Sequence, residues 1–362
     1  MPGSSRPVKL ESDVISALVL LALSPFWAGL ESGPYSIGFE TMPLRDYSRP
    51  FREVGDDRAR VLTVAIWYPG LSPDQQPMPF GRYVGTGTQE LSQRLRASGH
   101  DLDETQVSRM SATPTAAFEG LDRAEGSFPL VLFGAGLVAP TYVQSVLCEY
   151  LASYGYIVVA IPPVPYREDV SSGYDALTVE TLLRDIELVI HELRDYPGAD
   201  IEQLGLVASS VSGVSHVLLQ MKNPDVAAVV SLDAGTGYSY GYELLRESLY
   251  FDPARAEAPF FHATDSRETT SPASKSFDYY DNIHRGPSFL LTLEGARHAE
   301  FTSLASVVPI DADPEVRERY RLLCTYVREF LDFAIKADAD AEEFLDVTPS
   351  RHGFDGLILS KR

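Results

Sequence analysis

From Phe128 onward the chain alternates short, predominantly apolar runs with stretches of helical periodicity, and this alternation constrains the fold more than any other feature. The runs span residues 130–133, 157–161, 204–207, 227–232, 260–263 and 289–293. Each is shorter than an ordinary helix and lacks polar alternation, as expected of strands covered on both faces of a parallel sheet. Between them, Leu182, Ile186, Val189, Ile190 and Leu193 recur at spacings of three and four and share one helical face. Asp313-Pro314 reads as an N-cap followed by proline in the first turn. The helix it opens carries the stripe Tyr320, Leu323, Cys324, Val327, Phe330, Leu331 and Ala334. Strand–helix alternation of this kind predicts an α/β chain: a doubly wound, mostly parallel sheet with helices on both faces.

Upstream, residues 61–66 read as a first strand running into Trp67-Tyr68-Pro69. Residues 75–126 are polar and show no strand signal, so they are expected to form an insertion with a short helix near 91–97. Residues 1–30 read as a leader or a peripheral helix. Arg6 and Lys9 precede an apolar run over 14–23, but Glu11 and Asp13 interrupt the basic flank. That run is too short to span a bilayer. A cytoplasmic protein and one exported by an atypical signal both stay open. The main domain is expected over 31–345, with a polar, peripheral tail at 346–362.

With 51 acidic against 30 basic residues, the chain carries a formal charge of −21. So acidic a surface repels phosphate backbones and anionic lipid, and neither nucleic-acid binding nor strong membrane association is expected. Neutral substrates are unaffected. Cys148 and Cys324 each fall within an amphipathic helical stretch and are expected to be buried thiols. A disulfide between them is left open. No Cys/His cluster has metal-ligand spacing, so no metal and no cofactor is expected.

The run at 204–207 leads directly into Ala208-Ser209-Ser210-Val211-Ser212-Gly213, and a helical stretch follows. This is the strand–turn–helix setting of a nucleophile elbow. The tight turn requires small residues two before and two after its serine, which selects Ser210, flanked by Ala208 and Ser212. Ser209 and Ser212 meet that requirement less well. The order nucleophile, acid, histidine then places the partners. Asp233 ends the run at 227–232, and Asp265 follows the run at 260–263; either could orient a histidine. His298 follows the last run within Gly295-Ala296-Arg297-His298, where it can serve as general base. His216 falls on the helix after the elbow and reads as packed. An oxyanion hole needs two backbone N–H groups. Val211, after the nucleophile, supplies one; Leu137, in the turn Gly134-Ala135-Gly136-Leu137, supplies the other.

These motifs resemble the plasma-type platelet-activating-factor acetylhydrolases and the dienelactone-hydrolase-like esterases related to them, members of the α/β-hydrolase superfamily. The resemblance runs in order through Gly33-Pro34-Tyr35-Ser36-Ile37-Gly38, Ile66-Trp67-Tyr68-Pro69 and the segment from Phe128 to Phe133. It continues through Leu151-Ala152-Ser153-Tyr154-Gly155-Tyr156, the elbow, Ser231-Leu232-Asp233 and the His298 loop. It implies an α/β-hydrolase fold, a serine esterase acting on small-molecule or lipid-like esters through an acyl-enzyme, Asp233 in preference to Asp265, and Leu137 in the oxyanion hole. Two motifs depart from the family. Ala208 and Ser212 replace the usual elbow glycines, and Gly134-Ala135 replaces a Ser-His pair before the oxyanion residue. The alternative is therefore a non-catalytic or repurposed binding protein of the same fold. The loop Tyr238-Ser239-Tyr240-Gly241-Tyr242 either lines the substrate pocket or packs.

Overall fold

A computed structural model describes residues 24–50, 59–85, 88–97, 101–137, 139–166, 173–265, 275–308 and 313–362. Ten strands form one sheet among the described residues: β1 (Ser36–Pro50), β2 (Ala59–Gly70), β3 (Ala117–Glu119), β4 (Phe128–Gly134), β5 (Ile157–Ile161), β6 (Ala199–Ser209), β7 (Val226–Leu232), β8 (Phe260–Asp265), β9 (Ser288–Leu293) and β10 (Leu357–Lys361). Their order is β10-β9-β8-β7-β6-β4-β5-β2-β1-β3. The six strands from β5 to β9 pair in parallel. β2, β1 and β10 join them antiparallel.

The helices are α1 (Gly81–Val84), α2 (Thr88–Ala97), α3 (Glu104–Ala112), α4 (Ser145–Ser153), α5 (Ala176–Glu192), α6 (Ser212–Lys222), α7 (Ser239–Glu247), α8 (Leu304–Val307), α9 (Pro314–Lys336) and α10 (Ala339–Asp346). Side chains alternate across a pleated strand, so the predominantly apolar runs supply two cores at once. Val131, Phe133, Val158 and Val207 face one layer, where Tyr320, Leu323, Val327 and Phe330 of α9 cover them together with α4. Leu130, Leu132, Ile157 and Leu206 face the other, beneath Leu183, Ile186 and Val189 of α5 and the apolar side of α6. Helices therefore cover both faces. The start of α9 is as read: the Asp313 side chain accepts from Glu315 N at 3.0 Å, with Pro314 in the first turn.

Three strands lie where no strand was expected. β1 alternates rather than running apolar: Ile37, Phe39 and Leu44 are buried, while Thr41, Pro43 and Arg45 are exposed. A search for continuous apolar runs passes over such a half-solvated strand. β3 lies inside the stretch read as a strandless insertion, where three residues pair with β1. β10 lies in the tail and pairs with β9 at the sheet edge. Near the N-terminus, Phe26, Trp27 and Leu30 are buried in the α9 layer, while residues 1–23 lie outside the described residues. Both cysteines are free and buried. No helix among the described residues is long and apolar enough to cross a membrane. In such a sheet, ligands approach the carboxyl ends of the parallel strands, and the loops after β4, β6, β7 and β9 meet there.

Candidate active site

The chain passes from β6 to α6 through two residues, Ser210 and Val211. Ser210 has φ +55°, whereas Val211, which precedes α6, already has helical angles. The left-handed region costs an L-residue roughly 1–2 kcal/mol, so something must hold Ser210 there. Its carbonyl oxygen accepts twice, from Gly213 N at 3.2 Å and from Gly235 N at 2.7 Å. The second bond ties the elbow to the loop after β7.

The elbow's departures from the glycine pattern are accommodated by an adjacent strand. A Cβ on Gly134, at the end of β4, would fall 2.9 Å from Ser212 Cβ and 2.2 Å from the His216 ring. The missing methyl on β4 thus makes the room that a glycine at 212 would have made. Ser212 Oγ also donates to the Ala135 carbonyl, fastening the start of α6 to the β4 turn. Next in that turn, Gly136 lies so close to the elbow that a Cβ there would sit 2.8 Å from Ser210 Cβ.

Asp233 follows β7 with φ +43° and is fully buried. Its backbone N–H donates to Ala263 O at 2.7 Å, which fixes it against β8. His298 opens a 3₁₀ turn, His298–Phe301, shortly after β9. Its Nδ1 lies 2.6 Å from Asp233 Oδ2. With a carboxylate as partner, Nδ1 carries the proton and donates, leaving Nε2 free to accept one. Burial alone would raise the Asp233 carboxyl, but the His298 hydrogen bond and nearby cations outweigh it and hold the group below its usual value. The same hydrogen bond raises His298 above 6.5, against the opposing effect of desolvation.

Ser210 and His298 line one cavity of about 230 Å³, with Gly136, Leu137, Val143 and Phe301 among its walls. No hydrogen bond joins the two side chains in this state; such contacts often tighten only around substrate. The backbone N–H groups of Leu137 and Val211 have no acceptor among the described residues. Asp265 ends β8, and its carboxylate pairs with Lys275. His216 is buried with its Nδ1 2.7 Å from Ser212 O, and burial lowers it to about 4. Among the described residues, no group of three or more His, Cys, Asp or Glu side chains could hold a metal ion.

Sheet order, crossovers and the strand-to-helix turn define the α/β-hydrolase fold. A ferulic acid esterase from Streptomyces cinnamoneus matches it with a TM-score of 0.69 at 20% identity, over 92% of this chain and 98% of that one. The family described as platelet-activating factor acetylhydrolase, isoform II, matches residues 30–169, a stretch that includes Leu137 and ends before Ser210. No curated protein sequence matches the chain.

Three polar residues around Asp233 were not read from the sequence as its partners. Tyr238 O–H donates to both Asp233 oxygens, at 3.1 and 3.0 Å, so the loop read as pocket lining or packing places one tyrosine on Asp233. Thr264 Oγ1 lies 3.4 Å from Asp233 Oδ1, and Lys275 Nζ lies 3.6 Å from it. Thr264 sits one residue beyond the apolar run of β8. Lys275 carries no signal, being one lysine in a Ser- and Thr-rich stretch.

Proposed function

We propose that the chain is a carboxylic-ester hydrolase that works through an acyl-enzyme on Ser210, with His298 as base and Asp233 as its orienting acid. The observation that carries this reading is the 2.6 Å Asp233–His298 hydrogen bond, made at the rim of the cavity that Ser210 lines. Ser210 Oγ attacks the ester carbonyl while His298 Nε2 takes its proton. Leu137 and Val211 N–H then receive the oxyanion, and the protonated histidine returns its proton to the departing alcohol. Water, activated by the same histidine, releases the acid. The names of the matched family and of the superposed esterase support the same chemistry.

At about 230 Å³ the cavity falls below the roughly 300–1,000 Å³ range of drug-sized sites, which favours small esters. The alternative, a binding protein of this fold, rested on the altered elbow, and Gly134 accommodates that alteration. A panel of p-nitrophenyl esters of graded acyl length tests the proposal. Turnover should be highest for the shortest acyl chains and fall steeply with length. No turnover on any member would contradict it.

A further inference from the structure

A second layer of charge lies behind Asp233. Lys275 Nζ donates to Thr264 Oγ1 at 2.6 Å, to the Asp265 carbonyl at 3.3 Å and to the Asp265 carboxylate, and stands 3.6 Å from Asp233 Oδ1. Its side chain is 14% exposed. The backbone holds it there: Lys275 forms an antiparallel bridge with Tyr238, and Ser276 N donates to Gly237 O at 2.9 Å. Tyr238 thus supports Asp233 from the loop after β7, while Lys275 supports it from the segment after β8.

We propose that Lys275 is a positioning residue for the hydrolysis reaction: it holds Asp233 from behind, and with Asp265 it forms a charge pair whose balance tunes His298 as the base. The inference rests on the assignment of Ser210, Asp233 and His298 made above. Asp265 therefore has a part, but not as the acid that touches histidine. It offsets a lysine that would otherwise disfavour the imidazolium formed during each turnover.

Among the described residues, the charged groups acting on His298 across the site are Asp233, Asp265 and Lys275. On its own turn, Arg297 is engaged with Glu300 at 2.9 Å, and Glu300 is held again by Arg319 at 2.8 Å. His262, beneath Asp233, is lowered by burial to about 4 and stays neutral at working pH. Burial raises the Tyr238 phenol, which stays neutral as well. Among the described residues, two opposed charges are thus left beyond Asp233. Asp265 raises His298 and Lys275 lowers it.

The test is the acid limb of kcat/KM against pH, measured on the full chain with a short-chain p-nitrophenyl ester. Lys275→Met should move the limb to higher pH and Asp265→Asn to lower pH. Each shift should be about half a unit, the size of one charge acting across several ångströms of water-like dielectric. Lys275→Met combined with Asp265→Asn should return the limb to the wild-type position, and Lys275→Arg should leave it there. A merely structural role would change stability without separating the limbs in opposite directions. Limbs that coincide, or that move the same way, overturn the inference. If Lys275→Met does not fold, Asp265→Asn decides it: a limb left at the wild-type pH overturns the inference. His298→Ala run alongside separates the two levels. An active His298→Ala enzyme contradicts the assignment of the base, whereas a silent one with unmoved limbs in the other variants contradicts only the role of Lys275.

Discussion

Ser210 and Asp233 both hold positive φ angles, which few residues other than glycine adopt. Aspartate tolerates this region better than serine does. Strain at a single residue persists only where neighbours over-determine it, and here the two accepted bonds at the Ser210 carbonyl and the Asp233 N–H bond to β8 do so. The assignment of Asp233 as the acid gives a sharp contrast between two aspartates. Asp233→Asn should lower turnover by up to roughly ten-thousand-fold, because an amide holds the imidazole in the wrong tautomer. Asp265→Asn should keep near wild-type turnover at the pH plateau. Steady-state rates of both variants check this; a silent Asp265→Asn with an active Asp233→Asn would move the acid to β8. A pH dependence belongs to the same residues. The base must be neutral to act, and His298 is raised above 6.5, so kcat/KM should fall as pH drops through a midpoint above 6.5. A limb centred below 6.5 would contradict the Asp233–His298 hydrogen bond.

At the scale of elements, the parallel strands were legible because burial on both faces leaves few polar residues in them. The proposed site residues Ser210, Asp233 and His298 each follow such a run, so finding the runs located their loops. β1, β3 and β10 lie toward the edges of the sheet, where one-sided exposure or short length erases that signal. Lys275 and Tyr238 were not legible as partners of Asp233, since their roles depend on a bridge between two loops that no spacing encodes. Nor does the sequence reveal that Gly134 on β4 makes room for Ser212 on α6; that compensation exists only across the β4–β6 pairing. The β4 turn makes a prediction of its own. Gly136→Ala would place a methyl 2.8 Å from Ser210 Cβ, so the turn or the elbow must shift. Turnover should fall by at least about a hundredfold, the usual cost of losing one oxyanion donor, while the melting temperature changes little. Wild-type turnover in Gly136→Ala would show that Leu137 N–H does not serve the reaction.

Across the whole molecule, one buried carboxylate joins segments far apart in sequence. Glu149 on α4 accepts from Trp27 Nε1 and Tyr83 O–H, each at 2.6 Å, and from Ala116 N at 3.2 Å. The segment at 24–30 and the stretch at 75–126 are thereby fastened to the helix that follows the β4 turn. Burial raises Glu149 from 4.5 to about 7 despite these three donors. In the unfolded chain the group ionises near its ordinary value, so between about pH 4.5 and 7 the folded state binds more protons. Its contribution to stability therefore declines as pH rises through that window, at roughly 1.4 kcal/mol per unit. Glu149→Gln removes the titration, so the stability of wild type relative to this variant should fall between pH 5 and pH 8. Denaturant midpoints of both proteins at the two pH values measure it, and parallel changes would contradict the assignment.

The central claim is that Ser210 is the nucleophile. A fluorophosphonate probe followed by peptide mass mapping tests it most directly. The adduct should fall on Ser210 alone, and Ser210→Ala should fold normally, take no label and hydrolyse no ester. An adduct on Ser209 or Ser212, or a Ser210→Ala protein that still labels and turns over ester, would contradict it.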